Sequence, residues 1–229
     1  MDFARVLYDL SIWAVPVLLA ITLHEAAHGW AAYRLGDDTA ERLGRVTFNP
    51  LKHVDPVGTV VVPGMLAVVG SPFLFGWAKP VPVNFWRLRH PRRDMVLVAA
   101  AGPAINVALA FASALLMHLS DMATGDVGRW VQAMIERSIV INLLLALFNM
   151  LPVLPLDGGR VLLGLLPIDL ARPFARTERF GFFALIAVLV LVPLLARQFG
   201  SNIDPLATIL GGPLDASIRV VLTVTGHVH

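Results

Sequence analysis

Long stretches without a charged residue are the feature that most constrains the fold of this chain. Five such runs, over residues 10–23, 56–78, 95–117, 138–156 and 180–196, contain no Asp, Glu, Lys or Arg. A helix needs about 20 largely apolar residues to cross the hydrocarbon core of a bilayer. With 57% hydrophobic and only 15% charged residues, the chain is predicted to be an integral membrane protein.

The runs predict an all-α polytopic membrane protein with about four to six transmembrane helices. We expect one membrane-embedded domain over residues 1–229. Its core helices are predicted at about residues 9–34, 94–118 and 137–157, with a further helix at about 179–197. A C-terminal partial or interfacial helix is predicted at about residues 203–224.

The second run differs from the others because six glycines and prolines interrupt it between residues 58 and 76. Such breakers argue against a straight helix, whereas irregular backbone at membrane depth is tolerated where protein or a wet cavity covers it. We therefore expect a re-entrant or β-hairpin-like excursion after the first helix. A kinked spanning helix is the alternative.

The distribution of basic residues predicts the orientation of the chain. Lys and Arg number nine between residues 34 and 94, two between 118 and 137, and four between 160 and 179. If the excursion does not cross, the positive-inside rule puts the two larger groups in the cytoplasm and the N-terminus outside. The pI of about 9.5 is explained by these loops, so no nucleic-acid partner is expected.

A metal-binding pattern lies inside the first apolar segment, at His24-Glu25-Ala26-Ala27-His28. Residues four apart share one helix face, so both imidazoles can bind one cation while Glu25 acts as a base beside it. Ionisable groups within a membrane span are costly and are usually functional. The alternative is a polar interhelical cluster that only fixes packing.

A catalytic zinc site needs a third protein ligand, and the chain has no cysteine to provide it. The best candidate is Asp157, which follows a charge-free run and two prolines that open the helix. In the re-entrant topology, Asp157 and His28 are both expected near the cytoplasmic end of their apolar segments, so the two residues should lie at a similar depth in the membrane. A helix cap is the alternative role for Asp157, while His53 and His118 are weaker ligand candidates.

Three ordered motifs resemble those of the site-2 protease family of intramembrane zinc metalloproteases, in its short bacterial branch without a PDZ or CBS domain. Similar loops occur at residues 36–40, 44–50 and 76–84, so the resemblance covers most of the chain. The motifs are His24-Glu25-x-x-His28, Ala101-Gly102-Pro103-Ala104-Ile105-Asn106 and Asn149-x-x-Pro152-x-x-x-x-Asp157-Gly158.

The resemblance implies that His24, His28 and Asp157 bind one Zn²⁺ per chain and that Glu25 activates the attacking water. It implies that Asn149 supports the tetrahedral intermediate or positions the substrate backbone. The expected substrates are transmembrane proteins, cut within or near the bilayer in regulated intramembrane proteolysis. The expected location is the bacterial inner membrane, with the active site toward the cytoplasm.

The segment from Trp77 to Asn84 is a candidate substrate-binding edge, because a protease must hold the scissile backbone in an extended form. A rigid surface loop is the other interpretation of this segment. Asn106 is either a substrate-binding neighbour of the active site or a polar contact between helices. The residues predicted to contact substrate are Trp77, Lys79, Pro80, Val81 and Asn106.

A membrane zinc transporter or metal sensor using the same ligands is the alternative function. It would need a second polar step across the membrane, and the other apolar runs contain little beyond Asn106 and Asn142. The sequence therefore favours a protease, and it leaves the oligomeric state open.

Overall fold

The structure, a computed structural model, describes residues 3–62, 64–65, 76–120, 124–201 and 203–227. Within these ranges the chain is helical, and no residue is assigned to a strand. The helices are α1 (Phe3–Arg34), α2 (Thr39–Arg42), α3 (Pro91–Ser120), α4 (Gly125–Asn149), α5 (Asp157–Leu165), α6 (Ile168–Ala175), α7 (Glu178–Gln198) and α8 (Pro205–Val224).

The prediction of an all-α polytopic membrane protein is confirmed. Five of the described helices are long and apolar enough to cross a membrane, namely α1, α3, α4, α7 and α8. Many of their large apolar side chains are exposed, as expected for surfaces that face lipid. α8 is a continuous helix of 20 residues that lies within the predicted range of residues 203–224.

The third core helix was predicted at about residues 137–157, and these bounds are wrong. α4 begins at Gly125, so charged residues that looked like a loop belong to its first turns. It ends at Asn149, because Pro152 and Pro155 cannot continue the hydrogen-bond ladder. Asp157 therefore lies on a separate short helix, α5.

Hydrogen bonds between helix ends give the directions of the bundle. α1 and α4 are parallel, because Trp130 Nε1 near the start of α4 donates to Ser11 Oγ at 2.8 Å. α3 runs antiparallel to both. α8 ends beside the end of α3, where His118 Nε2 lies 2.7 Å from Thr225 O and His227 Nε2 lies 2.8 Å from Ala114 O.

α8 thus runs parallel to α3 and antiparallel to α4. Phe148 at the end of α4 and Leu206 at the start of α8 both pack against Leu189 of α7. The chain between α4 and α8, including α7, therefore starts and finishes at the same end of the bundle. α1, α3, α4 and α8 form a bundle of alternating direction, and we call the end that holds His28 and Asp157 the site end.

The excursion after α1 also starts and finishes in one place. The Trp77 N–H donates to Gly58 O at 3.1 Å, and the Lys79 N–H donates to His53 O at 2.9 Å. Its descending part is a π-helical turn, Pro56–Val61, and residues 76–84 return without regular helix or strand. Residues 63 and 66–75 of the predicted re-entrant segment lie outside the described ranges.

Candidate metal centre

The two histidines of the sequence motif lie one above the other on the buried face of α1. His24 is 6% exposed and His28 is 9% exposed. Their Nε2 atoms are 3.0 Å apart, and their rings meet edge to face. The spacing of four residues produces this arrangement directly, because successive turns of a helix stack such side chains.

Asp157 joins the two imidazoles from a different part of the chain. Its Oδ2 lies 3.1 Å from His24 Nε2 and 3.3 Å from His28 Nε2. Asp157 is the first residue of α5, but its side chain caps no helix. Gly158 makes this position possible, because a Cβ there would collide with the backbone of Met150.

The hydrogen bonds of the outer ring nitrogens determine which tautomer each neutral imidazole adopts. His28 Nδ1 lies 2.7 Å from Val98 O, and a backbone carbonyl can only accept. His28 Nδ1 therefore carries the proton, and its Nε2 presents a lone pair toward Asp157. A partner that fixes the outer nitrogen is the usual support of a metal-binding histidine.

The same assignment holds for His24 through a chain of amides. Asn142 Nδ2 donates to Ser138 O at 2.8 Å, so Asn142 Oδ1 accepts from Asn106 Nδ2 at 2.8 Å. Asn106 Nδ2 also donates to Ala20 O at 3.2 Å, which leaves Asn106 Oδ1 to accept from His24 Nδ1. His24 Nε2 thus also presents a lone pair.

This network corrects the prediction that Asn106 contacts substrate. Asn106 is 0% exposed, and both ends of its amide are hydrogen-bonded within the bundle. It has no surface to offer a substrate. Instead, Asn106 orients the ring of His24 and links α1, α3 and α4, which is the polar contact between helices that was the other role weighed for it from sequence.

Three lone-pair atoms, two Nε2 and one Oδ2, therefore face one another, and Asp157 Oδ2 is buried without a hydrogen-bond partner. The arrangement becomes favourable when positive charge lies among these atoms, supplied by a bound metal ion or by a proton on one imidazole. Their separations of 3.0–3.3 Å are close to the roughly 3.3 Å between ligand atoms of a tetrahedral zinc site with bond lengths of about 2.0–2.1 Å.

Gly102 of α3 leaves room beside these atoms. A Cβ at this position would collide with His28 Nε2 and would lie 2.6 Å from His24 Nε2. From the sequence, Gly102 was named only as part of a motif, and the structure shows that its missing side chain opens space at the ring nitrogens. The donor set and this space fit a catalytic zinc site, which needs three protein ligands and an open fourth position.

Glu25 lies between the two histidines in sequence but points toward the excursion. Its Oε2 accepts a hydrogen bond of 2.7 Å from the Val81 backbone N–H. Val81 was predicted to contact substrate, and the residue is only 8% exposed. The observed link is between its main chain and Glu25, and it brings the segment of residues 76–84 beside the candidate metal centre, while the substrate contact of Val81 stays a prediction.

Side chains and backbone atoms from several elements hold residues 76–84 in place. Arg45 Nη2 donates to Lys79 O at 2.7 Å and contacts Pro80 O at 3.4 Å. Asp37, which is 0% exposed, accepts from the Asn84 N–H at 2.6 Å. The segment is therefore fixed at both ends as well as at Val81.

The other predicted site residues are not joined to the cluster. Asn149 Nδ2 donates to Leu145 O of its own helix at 3.0 Å, so its catalytic role stays a prediction. Trp77 packs edge to face against Phe182, and Lys79 and Pro80 are exposed. The weaker ligand candidates lie elsewhere in the fold, His53 against Thr47 O and His118 at the end opposite the site.

The sequence missed several groups that support the site. Val98 acts through its carbonyl, which no side-chain pattern reveals, and Asn142 was noted only as a polar residue in an apolar run. Arg45 was seen only as part of a loop resemblance. In the sequence, Arg45 is a lone basic residue between a glycine and a run of apolar and small residues, and that pattern alone does not predict a contact.

Comparison with known proteins identifies the family. Residues 116–192 match the model of peptidase family M50. A Bacillus subtilis protein named as a candidate zinc metalloprotease, YwhC, is 39% identical over 198 residues, covering 80% of this chain and 83% of the relative. No solved structure matches the chain.

Mycobacterial relatives agree with this result. Proteins named as candidate zinc metalloproteases, Rip2, from Mycolicibacterium smegmatis and Mycobacterium tuberculosis are 29% and 30% identical over 182 residues. Each match covers 80% of this chain and 67% of the relative. The motif-bearing chain with its histidine and aspartate cluster therefore belongs to peptidase family M50, the site-2 protease family of membrane metalloproteases.

Proposed function

We propose that this protein is an intramembrane zinc metalloprotease that cuts peptide bonds within or near the transmembrane segments of other membrane proteins. One zinc ion per chain is held by His24, His28 and Asp157, and Glu25 is the general base. The observation that carries the proposal is the convergence of two neutral imidazole lone pairs and a carboxylate oxygen without a hydrogen-bond partner, inside a membrane helix bundle.

Zinc supplies Lewis acidity when bound, polarising a carbonyl and lowering the pKa of a water molecule toward about 7. The chain's own residues move the protons. Glu25 Oε2 is occupied by the Val81 N–H, so Oε1 takes the proton from the attacking water and later passes it to the leaving amine. Asn149, at the end of α4, is the remaining candidate to support the oxyanion.

The extended segment of residues 76–84 is proposed to bind the unwound substrate. Its Trp77 and Lys79 N–H groups pair with the excursion, but Ala78 lies between them and makes no backbone hydrogen bond to any described residue. A substrate strand is proposed to pair with this edge of residues 76–84, which contacts Glu25 at Val81. The exposed side chains of Lys79 and Pro80 would border the bound strand.

The active site is proposed to face the cytoplasm in the bacterial inner membrane. The site end of the bundle carries the two basic groups of loops, so the positive-inside rule directs it inward. The chain lacks cysteine, which allows single-cysteine labelling. Arg89→Cys should react from the cytoplasmic side and Asp126→Cys from the opposite side, and the reverse pattern would overturn this orientation.

A cleavage assay with matched carboxylate variants tests the proposed function. Purified protein is reconstituted with a labelled single-span membrane protein, and cleavage and zinc content are measured together. Glu25→Gln should retain zinc and lose at least about 100-fold in rate, because proton transfer by a placed base contributes about 10²–10⁴-fold. Asp157→Ala should lose zinc as well as activity.

The chain provides its own control for Asp157. Asp215 stands in a second Pro-Leu-Asp triplet, on α8, and its side chain is exposed. Asp215→Ala should therefore keep both zinc and activity. Full cleavage by Glu25→Gln would refute the protease, and zinc transport into the vesicles without any cleavage would indicate a transporter instead.

A further inference from the structure

We infer that Arg45 is a positioning residue for Glu25, acting through the backbone of residues 79–81. Its guanidinium holds the carbonyls of Lys79 and Pro80, and this places the Val81 N–H on the carboxylate of Glu25. The inference rests on the proposed function, in which Glu25 is the general base. It identifies a residue outside the metal cluster and outside the catalytic motif.

The contacts of Arg45 indicate that its side chain holds the backbone of residues 79–81 in place. The residue is only 8% exposed, although a buried guanidinium is costly unless it is paired. No described carboxylate forms an ion pair with it, and Nη2 binds two successive carbonyls instead. Its own N–H donates to Ala40 O at 2.9 Å, which anchors Arg45 to the turn after α2.

The backbone that Arg45 binds has little conformational freedom, so holding it at one point also places the residues next to that point. Pro80 and Pro82 restrict the backbone on both sides of Val81, so fixing the carbonyls of Lys79 and Pro80 leaves little freedom for the Val81 N–H. That N–H is 2.7 Å from Glu25 Oε2. Arg45, Val81 and Glu25 therefore form one continuous chain of contacts.

The chain of contacts joins the two tasks of the enzyme. The segment proposed to pair with the substrate strand is also the segment that holds one oxygen of the base. When Arg45 is removed, Glu25 keeps its place on α1 but loses the group that orients its carboxylate. The candidate metal ligands should stay in place, because among the described residues no hydrogen bond or ion pair joins His24, His28 or Asp157 to Arg45 or to residues 79–81.

Hydrogen exchange on the metal-free protein tests the geometry without any catalysis. Pro80 and Pro82 have no N–H, so deuterium located in residues 80–82 reports on the Val81 amide alone. Arg45→Ala should speed exchange at Val81 about tenfold or more relative to wild type. Glu25→Ala removes the acceptor and should speed the same exchange. That result would show that the hydrogen bond to Glu25 is what slows exchange of the Val81 amide.

Kinetics test the consequence for the reaction with the same labelled single-span membrane protein as the substrate. Arg45→Ala should lower kcat about 10- to 100-fold, in line with the loss of a hydrogen bond to a charged group. Zinc content should stay at the wild-type level. Arg45→Lys should recover part of the rate, because an ammonium group can still reach one carbonyl.

A double-mutant cycle with Glu25→Asp separates positioning from general loss of structure. The shorter carboxylate does not reach the Val81 N–H, so Arg45→Ala should cost less than about threefold in that background. Arg42→Ala is the matched control, because Arg42 is a nearby arginine whose side chain is 67% exposed. It should leave Val81 exchange and kcat unchanged.

Two results would overturn the inference while leaving the proposed function intact. One is an unchanged Val81 exchange rate in Arg45→Ala, and the other is a full, multiplicative loss of rate in the Glu25→Asp background. If Arg45→Ala does not fold, Arg45→Gln gives the same exchange test with a smaller perturbation. Absence of cleavage and of bound zinc in the wild type would instead reject the proposed function.

Discussion

The two halves of the site are built in different ways. In the helical half, α1 and α5 supply the three candidate ligands, and α3 supplies Asn106, Val98 and Gly102, which orient the rings and leave space for a metal. In the loop half, residues 76–84 have no regular structure and depend on Arg45 and Asp37 for their position. Glu25 lies where the halves meet, because it belongs to α1 and accepts from Val81.

Because the two halves are built differently, we expect that a substitution can impair metal binding or substrate cleavage without impairing the other. Buried packing between helices holds the helical half, whereas residues 76–84 depend on a few hydrogen bonds from Arg45, Asp37 and the excursion. Substitutions in the helical half should therefore remove zinc, and substitutions in the loop half should slow cleavage while zinc stays bound. Four variants test this separation.

Gly102→Ala should have the largest effect. The added methyl group would occupy the space beside His24 Nε2 and His28 Nε2, so we expect the protein to lose most of its zinc and nearly all activity. Zinc content after purification is the measurement. Gly211→Ala, on α8, is the control and should bind zinc normally, because a Cβ added there would have no atom within 4 Å.

Asn106→Leu should be next, because it removes the acceptor that fixes the tautomer of His24. Loss of such a second partner typically lowers metal affinity about 10- to 100-fold, and competition with a chelator would measure this. Asn106→Asp keeps an acceptor toward His24 Nδ1 and should lose less affinity. Equal losses in both variants would mean that Asn106 acts only through helix packing.

Asp37→Ala tests the loop half. Asp37 accepts from the Asn84 N–H and from Thr39, so its removal frees one end of the segment. We expect about a tenfold loss of cleavage rate, comparable to one hydrogen bond to a charged acceptor, with zinc content unchanged. Zinc loss in this variant would contradict the separation of the two halves. Asp126→Ala, exposed at the opposite end, is the control.

The sequence predicts the helical half far better than the loop half, and the physical reason is spacing. His24 and His28 are four residues apart on one helix, so local geometry alone brings them together. Asp157 could be matched to them by depth, since the membrane restricts where a charged residue can lie. These three residues are the group that the structure brings within contact distance.

The loop half depends on contacts between distant backbone and side-chain atoms, which carry no periodic signal. Nothing in the pattern around Arg45 indicates that its guanidinium binds the carbonyl of Lys79. The bounds of α4 failed for a related reason, because its charged first turns resemble a loop by composition. The hydrogen-bonded chain from Asn142 to His24 joins three helices, so it could be predicted only if the relative positions of those helices were already known.

Ser113→Ala should have the smallest effect and defines the limit of the helical half. Ser113 Oγ lies 2.8 Å from Ser138 Oγ, on the far side of Asn142 from the ligands. Because the Ser138 carbonyl still accepts from Asn142, the amide chain to His24 survives the change. We expect unchanged zinc affinity and cleavage, and a loss of about 0.6 kcal/mol in stability, the typical value of an interhelical hydrogen bond in membranes. Thermal unfolding and chelator competition on the same sample would measure both. A fall in zinc affinity would show that the rigid half extends beyond Asn142, toward the apolar cluster around Ala110, Ala114 and Ile139.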